Sequence, residues 1–508
     1  MDSQEILTPN ADQEAGKFSP TPRDDKRNMD RSLAHSLAWR AAADWASQIL
    51  SWASLFVVIR LLTPADFGIA GMAVVLLPYL RWISDFGIQR SVVNLRDLSH
   101  EQLAQLNTFT SFMGFAGFGL SVLLAKPLAL FFRTPALTPV VIVTCFTLIP
   151  WGLRSVPEGL LIRDLRFRTI AGIEASYAIV TAAVTLVLAL LHFGYWALVL
   201  GNVIGVVART ILIAWAYPFG YAVPHLPSLR KPLLFGWHVL VSMIALNSYQ
   251  RLDNVTAGRV LGQAALGVYA VAWNLANVPL EKITSLVTTV IPSYLAAVQD
   301  DAAALRRYLR TLTELIALAA FPATIGLGLV AHELVPVAFG KKWIGVVGPL
   351  EVLSVYAAFR SIVALLPKIL TAVGNPRYVM WNELAGLVIL PMAFYVGSRW
   401  GVSGIAWGWV AAYPLVVIPL YRKVFQTIAM QPREYFRAVR PALDGSLAMT
   451  AVLLGLRWVW PASSALWLRL IVEIVAGAVT YIAIVLLLHR QRAMNFLALA
   501  KSLRRKQG

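Results

Sequence analysis

Three groups of residues have types and spacings suited to chemistry inside a helix bundle. Asp44, Ser47, Gln48 and Ser51 follow i, i+3, i+4, i+7 spacing in one apolar stretch, and Asn247, Gln250, Arg251 and Asn254 repeat it in another. Each set therefore makes one polar face of a helix. In a third stretch Asn274, Asn277, Glu281, Ser285 and Thr288 share a side, while Arg81 and Asp85 stand one turn apart. Asp253 and Lys282 flank these stripes. An ionised side chain at mid-bilayer costs at least about 2.5 to 3.5 kcal/mol, so such faces look onto protein or a water-filled cavity.

Pro78-x-x-Arg81 is matched by Pro279-x-x-Lys282 once two residues of slippage are allowed. This symmetry predicts a cation facing a shared axis from each half of the chain. Opposed cations suit a divalent anion such as a pyrophosphate, which Arg binds through its fork and Lys as a point charge. The prolines would open the helix ladder locally. The competing reading makes Arg81 with Asp85, and Arg251 with Asp253, structural ion pairs. Arg40, Arg60 and Arg259 lie near span ends and are expected to snorkel. Arg154, Glu158, Glu174, Arg209, Glu314, Glu351, Arg360, Lys368 and Glu383 form no repeated pattern and read as packing or ion-pair residues.

The elements that position these residues are membrane helices. Hydrophobic residues make up 58% of the 508 and charged ones only 14%, more apolar than a soluble domain carries. Roughly fourteen stretches are long enough to cross a hydrocarbon core about 30 Å thick. They cover approximately 38–61, 67–89, 103–125, 137–162, 169–191, 195–217, 233–258, 265–293, 311–331, 347–371, 378–398, 402–421, 441–460 and 466–488. The expected fold is all-α and polytopic.

The net charge of +18 would suggest nucleic acid in a soluble protein, but its distribution points elsewhere. With the first residues inside, Lys and Arg favour the cytoplasmic segments by roughly four to one, as the positive-inside rule requires. Both termini are then cytoplasmic, and nucleic acid is not a partner. Residues 1–36 are polar and proline-bearing and read as a disordered tail. The lone Cys145 excludes an intramolecular disulfide. No HExxH, CxxC or Walker sequence occurs, so neither a metal nor ATP hydrolysis is expected. The longest connections, 217–232 and 422–440, leave no room for a catalytic domain.

The chain also repeats at an offset of about 200 residues. Leu62-Thr63-Pro64-Ala65-Asp66-Phe67-Gly68-Ile69 is answered by Leu261-Gly262-Gln263-Ala264-Ala265-Leu266-Gly267-Val268, and Phe193-Gly194-Tyr195-Trp196 by Trp400-Gly401-Val402-Ser403. Six spans per repeat is an even number, so both halves enter the membrane in one direction and are related by a pseudo-twofold axis along its normal. The expected organisation is a tail (1–36), a six-helix bundle (37–217), a cytoplasmic linker (218–232), a second bundle (233–424), an added helix pair (425–488) and a basic tail (489–508).

With RLLTPADFGIAGMAVV, SDFGIQRSVV and VLGQAALGVYAVAWN at these positions, the chain resembles the polysaccharide transport family of flippases, within the multidrug, oligosaccharidyl-lipid and polysaccharide exporter superfamily. The resemblance implies movement of undecaprenyl-pyrophosphate-linked sugar repeat units across a bacterial inner membrane, for O-antigen, capsule or exopolysaccharide. It further implies that spans one, two, seven and eight line the cavity. Arg81, Arg251 and Lys282 would hold the pyrophosphate. Asn247, Gln250, Asn274 and Asn277 would meet sugar hydroxyls, with Ser47, Gln48, Ser51 and Asn254 lining the same space. Asp44, Asp85, Asp253 and Glu281 are candidates for proton or sodium coupling, with the membrane potential as the alternative; no other cofactor is implied. Lipids, a polymerase and glycosyltransferases of the pathway are the implied partners. A lipid II flippase, a cation-coupled drug exporter and a membrane-embedded polymerase or ligase are the competing readings.

Overall fold

The computed structural model describes residues 54, 56–95, 97–247, 251–288, 301–460 and 464–490, and every element among them is helical. After helical residues 56–61, Thr63 caps α1 (Pro64–Ala73). Its hydroxyl accepts from the Asp66 amide at 3.3 Å, the Asp66 carboxylate accepts from the Thr63 amide at 2.9 Å, and Pro64 opens the helix. The Thr-Pro-x-Asp sequence is thus a capping box with proline in the first turn. Helices α2 (Leu77–Asp85) and α3 (Ile88–Asn94) continue the second span, broken at Pro78 and at the left-handed pair Phe86 and Gly87. Then follow α4 (His100–Phe132), α5 (Leu137–Cys145), α6 (Leu148–Arg163), α7 (Phe167–Leu190) and α8 (Tyr195–Ala216).

The second bundle holds α9 (Leu226–Asn247), the short α10 (Leu252–Thr256), a π-helical turn (Ala257–Leu261) and α11 (Gln263–Thr288). It continues with α12 (Ala302–Leu329), α13 (Ala331–Ala338), a 3-10 turn (Lys341–Val346), α14 (Val347–Val363), α15 (Leu366–Ala372), α16 (Pro376–Gly397) and α17 (Gly401–Thr427). The added pair is α18 (Pro432–Val459) and α19 (Leu466–Leu488). Ten stretches among the described residues are long and apolar enough to cross a bilayer, and one of them, Pro376–Thr427, turns back near Gly397–Gly401 and contains two helices. Helices α9 and α11, 22 and 26 residues long, also reach across such a thickness. The chain is a multi-pass membrane protein.

The repeat is visible in the backbone. Gly194 (φ 56°, ψ −134°) and Gly401 (φ 73°, ψ −156°) stand at equivalent turns in a conformation that L side chains avoid. The two copies of the turn motif meet one another: a Cβ on Gly68 would overlap the Gln263 carbonyl, and one on Gly267 would overlap that of Pro64. Pro64 with Gly68 and Gln263 with Gly267 are equivalent pairs. This reciprocal contact is what a pseudo-twofold axis between parallel bundles produces.

One boundary differs from expectation. Helix α9 begins at Leu226, seven residues before the expected span, and the segment ahead of it is fastened to the first bundle. Asn107 Nδ2 donates to Gly220 O (3.2 Å), Thr108 Oγ1 to Ala222 O (2.7 Å), Gln102 Nε2 to Ser228 O (3.0 Å), and Lys231 pairs with Asp97. These polar residues sit in the first turns of α4, whose amphipathic start was not recognisable by apolar length alone. The surface bearing Arg90, Arg163, Arg166 and Arg230 is termed the basic face below.

The added pair packs on α12, with Tyr481 Oη donating to Leu318 O at 2.9 Å. Buried Glu333 of α13 and Glu473 of α19 bind Arg457 at 3.0 and 3.1 Å and Arg469 at 3.1 and 3.3 Å, a four-charge cluster that ties both helices to the second bundle.

Candidate functional site

A cavity of about 530 Å³ lies between the bundles. Its first-bundle wall is largely apolar, with Phe67 and Val74 of α1 and Leu198 and Val199 of α8, interrupted by Thr144 and Asn202. The second-bundle wall is polar: Arg251 and Asn254 come from the start of α10, Asn274, Asn277 and Glu281 from one face of α11, and Arg360 from α14. Among the described residues, both arginines of this cavity come from the second bundle.

Local geometry explains how these groups are held. The chain re-enters helix at Arg251, and Asp253, fully buried, anchors that start. One carboxylate oxygen accepts from the Asn254 amide (2.7 Å) and Asn254 Nδ2 (3.0 Å); the other accepts from Tyr269 Oη (2.8 Å) and Trp409 Nε1 (3.3 Å). The carboxylate faces away from the cavity, whose lining includes both its neighbours Arg251 and Asn254. Asn277 donates to Trp273 O at 2.8 Å and accepts from Arg360 Nη1 at 3.0 Å, so the guanidinium is aimed along α11. The Arg360 guanidinium also lies 5.9 Å from the Trp273 ring centre. Trp273 stacks in turn on Tyr269 and Trp409.

Arg81 is elsewhere. It lies over the Trp151 ring at 4.1 Å and lines, with Asp85, a smaller cavity nearer the basic face. The considered ion pair with Asp85 does not form, since Asp85 accepts from Ser155 Oγ at 2.5 Å instead. Lys282 lines neither cavity, because it stands one position off the polar face that carries Asn274, Asn277 and Glu281. A cation from each half facing one axis is therefore not the observed arrangement. The Arg251–Asp253 pair is replaced by the neutral donors around Asp253. Arg60, exposed at its span end, reaches across to the second bundle and donates to Ala338 O (2.6 Å) and Val337 O. Asp44, Ser47, Gln48, Ser51 and Gln250 lie outside the described residues, as does the side chain of Asn247.

Arg360, Thr144 and Asn202 were missed because the polar residues of their spans form no stripe repeated between the two halves. For Arg360 the available signal was physical: a single arginine in the apolar helix 347–363 must face protein or water. The tenth, fourth and sixth spans thus join the second, seventh and eighth in lining the cavity.

Beside it, sharing Phe67 and Asn274, lies an apolar cavity of about 230 Å³ formed by Phe56, Val278, Leu334 and Phe339 among others. Toward the face opposite the basic one, the glycine crossing, Arg60, and Trp343 Nε1 donating to Ile59 O (2.8 Å) join the bundles. Toward the basic face, the backbone of Phe86 and Gly87 abuts Gly236, and Ser91 Oγ donates to Pro232 O at 3.1 Å. The central cavity lies between these two sets of contacts.

Among the described residues, two pseudo-symmetric helix bundles of a multi-pass membrane protein meet around a central polar cavity. The family profile described as polysaccharide biosynthesis protein matches residues 57–348, and the chain belongs to that family. It is 26% identical over 419 residues to the lipopolysaccharide biosynthesis protein WzxC of Escherichia coli (strain K12), covering 80% of this chain and 81% of that protein. It is 23% identical to the succinoglycan biosynthesis transport protein ExoT of Rhizobium meliloti (strain 1021), covering 93% and 96%. Among solved structures, the lipid II flippase MurJ in an inward closed conformation superposes with a TM-score of 0.67 at 12% identity, covering 89% of this chain and 99% of that one. An inward-facing multidrug transporter of the MATE family superposes at 0.57 with 14% identity, covering 75% and 94%. Both likenesses are of fold.

Proposed function

We propose that the chain is a flippase that carries polyprenyl-diphosphate-linked oligosaccharide units across the bacterial inner membrane, from the cytoplasmic leaflet outward, for a surface polysaccharide. The basic face is then cytoplasmic, in accord with the excess of Lys and Arg there. The observation that carries this reading is the composition of the central cavity: two arginines for the diphosphate, four asparagines for sugar hydroxyls, and an apolar side cavity for the lipid beside them. A drug exporter for cationic substrates would be poorly served by two inward guanidiniums.

The membrane potential is the driving force in this account. Moving one negative charge outward along an inside-negative potential is favourable by about 2.3 kcal/mol per 100 mV, and a diphosphate carries two. Asp253, satisfied by four donors and turned from the cavity, is a positioning residue that holds Arg251 and Asn254 in place.

The test is the sidedness of lipid-linked oligosaccharide in cells. Deletion of the chain should trap the units in the inner leaflet, complementation should restore them, and Arg251→Ala should fail to do so. Normal sidedness in the deletion strain, with no second transporter responsible, would overturn the reading.

A further inference from the structure

A second cavity of about 110 Å³ lies between the bundles on the basic side of the central one. Arg81, Asp85, Arg90 and Trp151 of the first bundle and Val239 and Leu240 of α9 line it. Arg81 is held by its planar contact with Trp151, and the same indole carries Arg154 at 4.2 Å. Arg154 begins a series of ion pairs: it meets Glu158 (3.3 Å), Glu158 meets Arg209 (2.8 Å), and Arg209 meets Glu174 (2.5 Å). Two cations and two carboxylates leave that series neutral. Asp85 is engaged by Ser155. What faces the cavity is therefore Arg81 and Arg90 against one carboxylate, with the Arg81 fork fixed by stacking rather than by an acid.

This place is distinct from the central site. The second span lines the central cavity through Gly71 and the smaller one through Arg81, ten residues further on. The last residue of that span on the central cavity is Val75, six residues before Arg81, so at 1.5 Å per residue the two places are about 9 Å apart along it. We propose that the Arg81 cavity is a first station for the diphosphate group, occupied from the basic face before the group passes to Arg251 and Arg360. A charged head group that moves from one guanidinium to the next never loses its cationic partner inside the membrane. The inference rests on the flippase reading and adds a second binding site to it.

The test uses the full-length protein in detergent and titrates it with geranylgeranyl diphosphate, with inorganic pyrophosphate as a parallel arm. Two sites are expected, both competed by pyrophosphate. Arg81→Ala should weaken one by about tenfold or more, the effect of losing a charge-assisted contact, and Arg360→Ala the other. Arg81→Lys, which keeps the charge and loses the stack, should recover part of the affinity. If Arg81→Ala fails to fold, Arg81→Lys and Arg90→Gln carry the test, each lowering affinity at the first site alone. A single site untouched by these variants overturns the station while the central site stands. Binding that pyrophosphate cannot displace assigns the contact to the tail and also overturns it. Pyrophosphate bound at Arg81 where the prenyl compound does not bind makes it a site for free anions, again against the proposal. Absence of binding at either site overturns the flippase reading itself.

Discussion

At the scale of single residues, the central cavity depends on few side chains, and they divide into those that touch a ligand and those that position them. Arg360 and Asn277, joined by a hydrogen bond at 3.0 Å, lie on the second bundle's wall and form the anion-binding edge of the proposed function. Arg360→Ala should lower transport by about tenfold or more, the effect of a lost charge-assisted hydrogen bond, with the melting temperature little changed. Asp253→Ala should behave oppositely. It strands the buried Tyr269 hydroxyl at a cost of about 1 to 3 kcal/mol, while Trp409 Nε1 keeps its bond to Tyr269 Oη at 3.0 Å, so thermal unfolding in detergent should shift down before transport is assayed. A stable Asp253→Ala protein that is inactive would assign that carboxylate a direct role.

Legibility in the sequence follows the same division. The α11 stripe was readable because Asn274, Asn277 and Glu281 share helical spacing, and they do share the cavity. Arg81 was readable as an intramembrane cation but not as a partner of Trp151, since that contact joins residues 70 positions apart. Arg360 has no local pattern at all, and only packing shows which way a lone arginine faces. Symmetry misled in one respect: the repeat relates backbones and turns, whereas the polar walls of the two bundles differ.

At the scale of elements, the crossing of α1 and α11 depends on glycine. Gly68→Val would drive a side chain into the Gln263 backbone and should part the bundles at the face opposite the basic one. Cysteine labelling at Ile59 or Trp343, buried beside that seam, should then rise severalfold over the parent; unchanged labelling would show that the crossing is not a seal. The added helix pair depends on its charge cluster instead. Removing Arg457 leaves two buried carboxylates short of a partner, and Arg457→Leu should cost about 3 to 5 kcal/mol, read as a lower melting temperature. Near the basic face, Lys231 holds the exposed Asp97 carboxyl below the usual carboxylate range. Its folded pKa is depressed, so the pair's contribution is complete at neutral pH and is lost only as pH falls through the acid range. The contact this pair makes between the first bundle and α9 can be followed by the protection of the adjacent Arg230 from trypsin. That protection should be flat between about pH 6 and pH 8 in the parent chain and reduced in Lys231→Ala.

At the scale of the whole molecule, two bundles that touch at both ends and part in the middle enclose charge where lipid would reject it. The walls of the space between them differ, with Arg251 and Arg360 on the second bundle and a largely apolar surface on the first; in the proposed function the second bundle would hold the head group and the first would let it pass. The most direct test is transport by purified protein in liposomes, with a polyprenyl-diphosphate-linked oligosaccharide loaded in one leaflet and its arrival in the other followed by a membrane-impermeant glycosidase. The account predicts movement that requires the protein, accelerates under a potential drawing the anion across, and stops in the Arg251→Ala, Arg360→Ala double variant. Movement by that variant at the parent rate would contradict it.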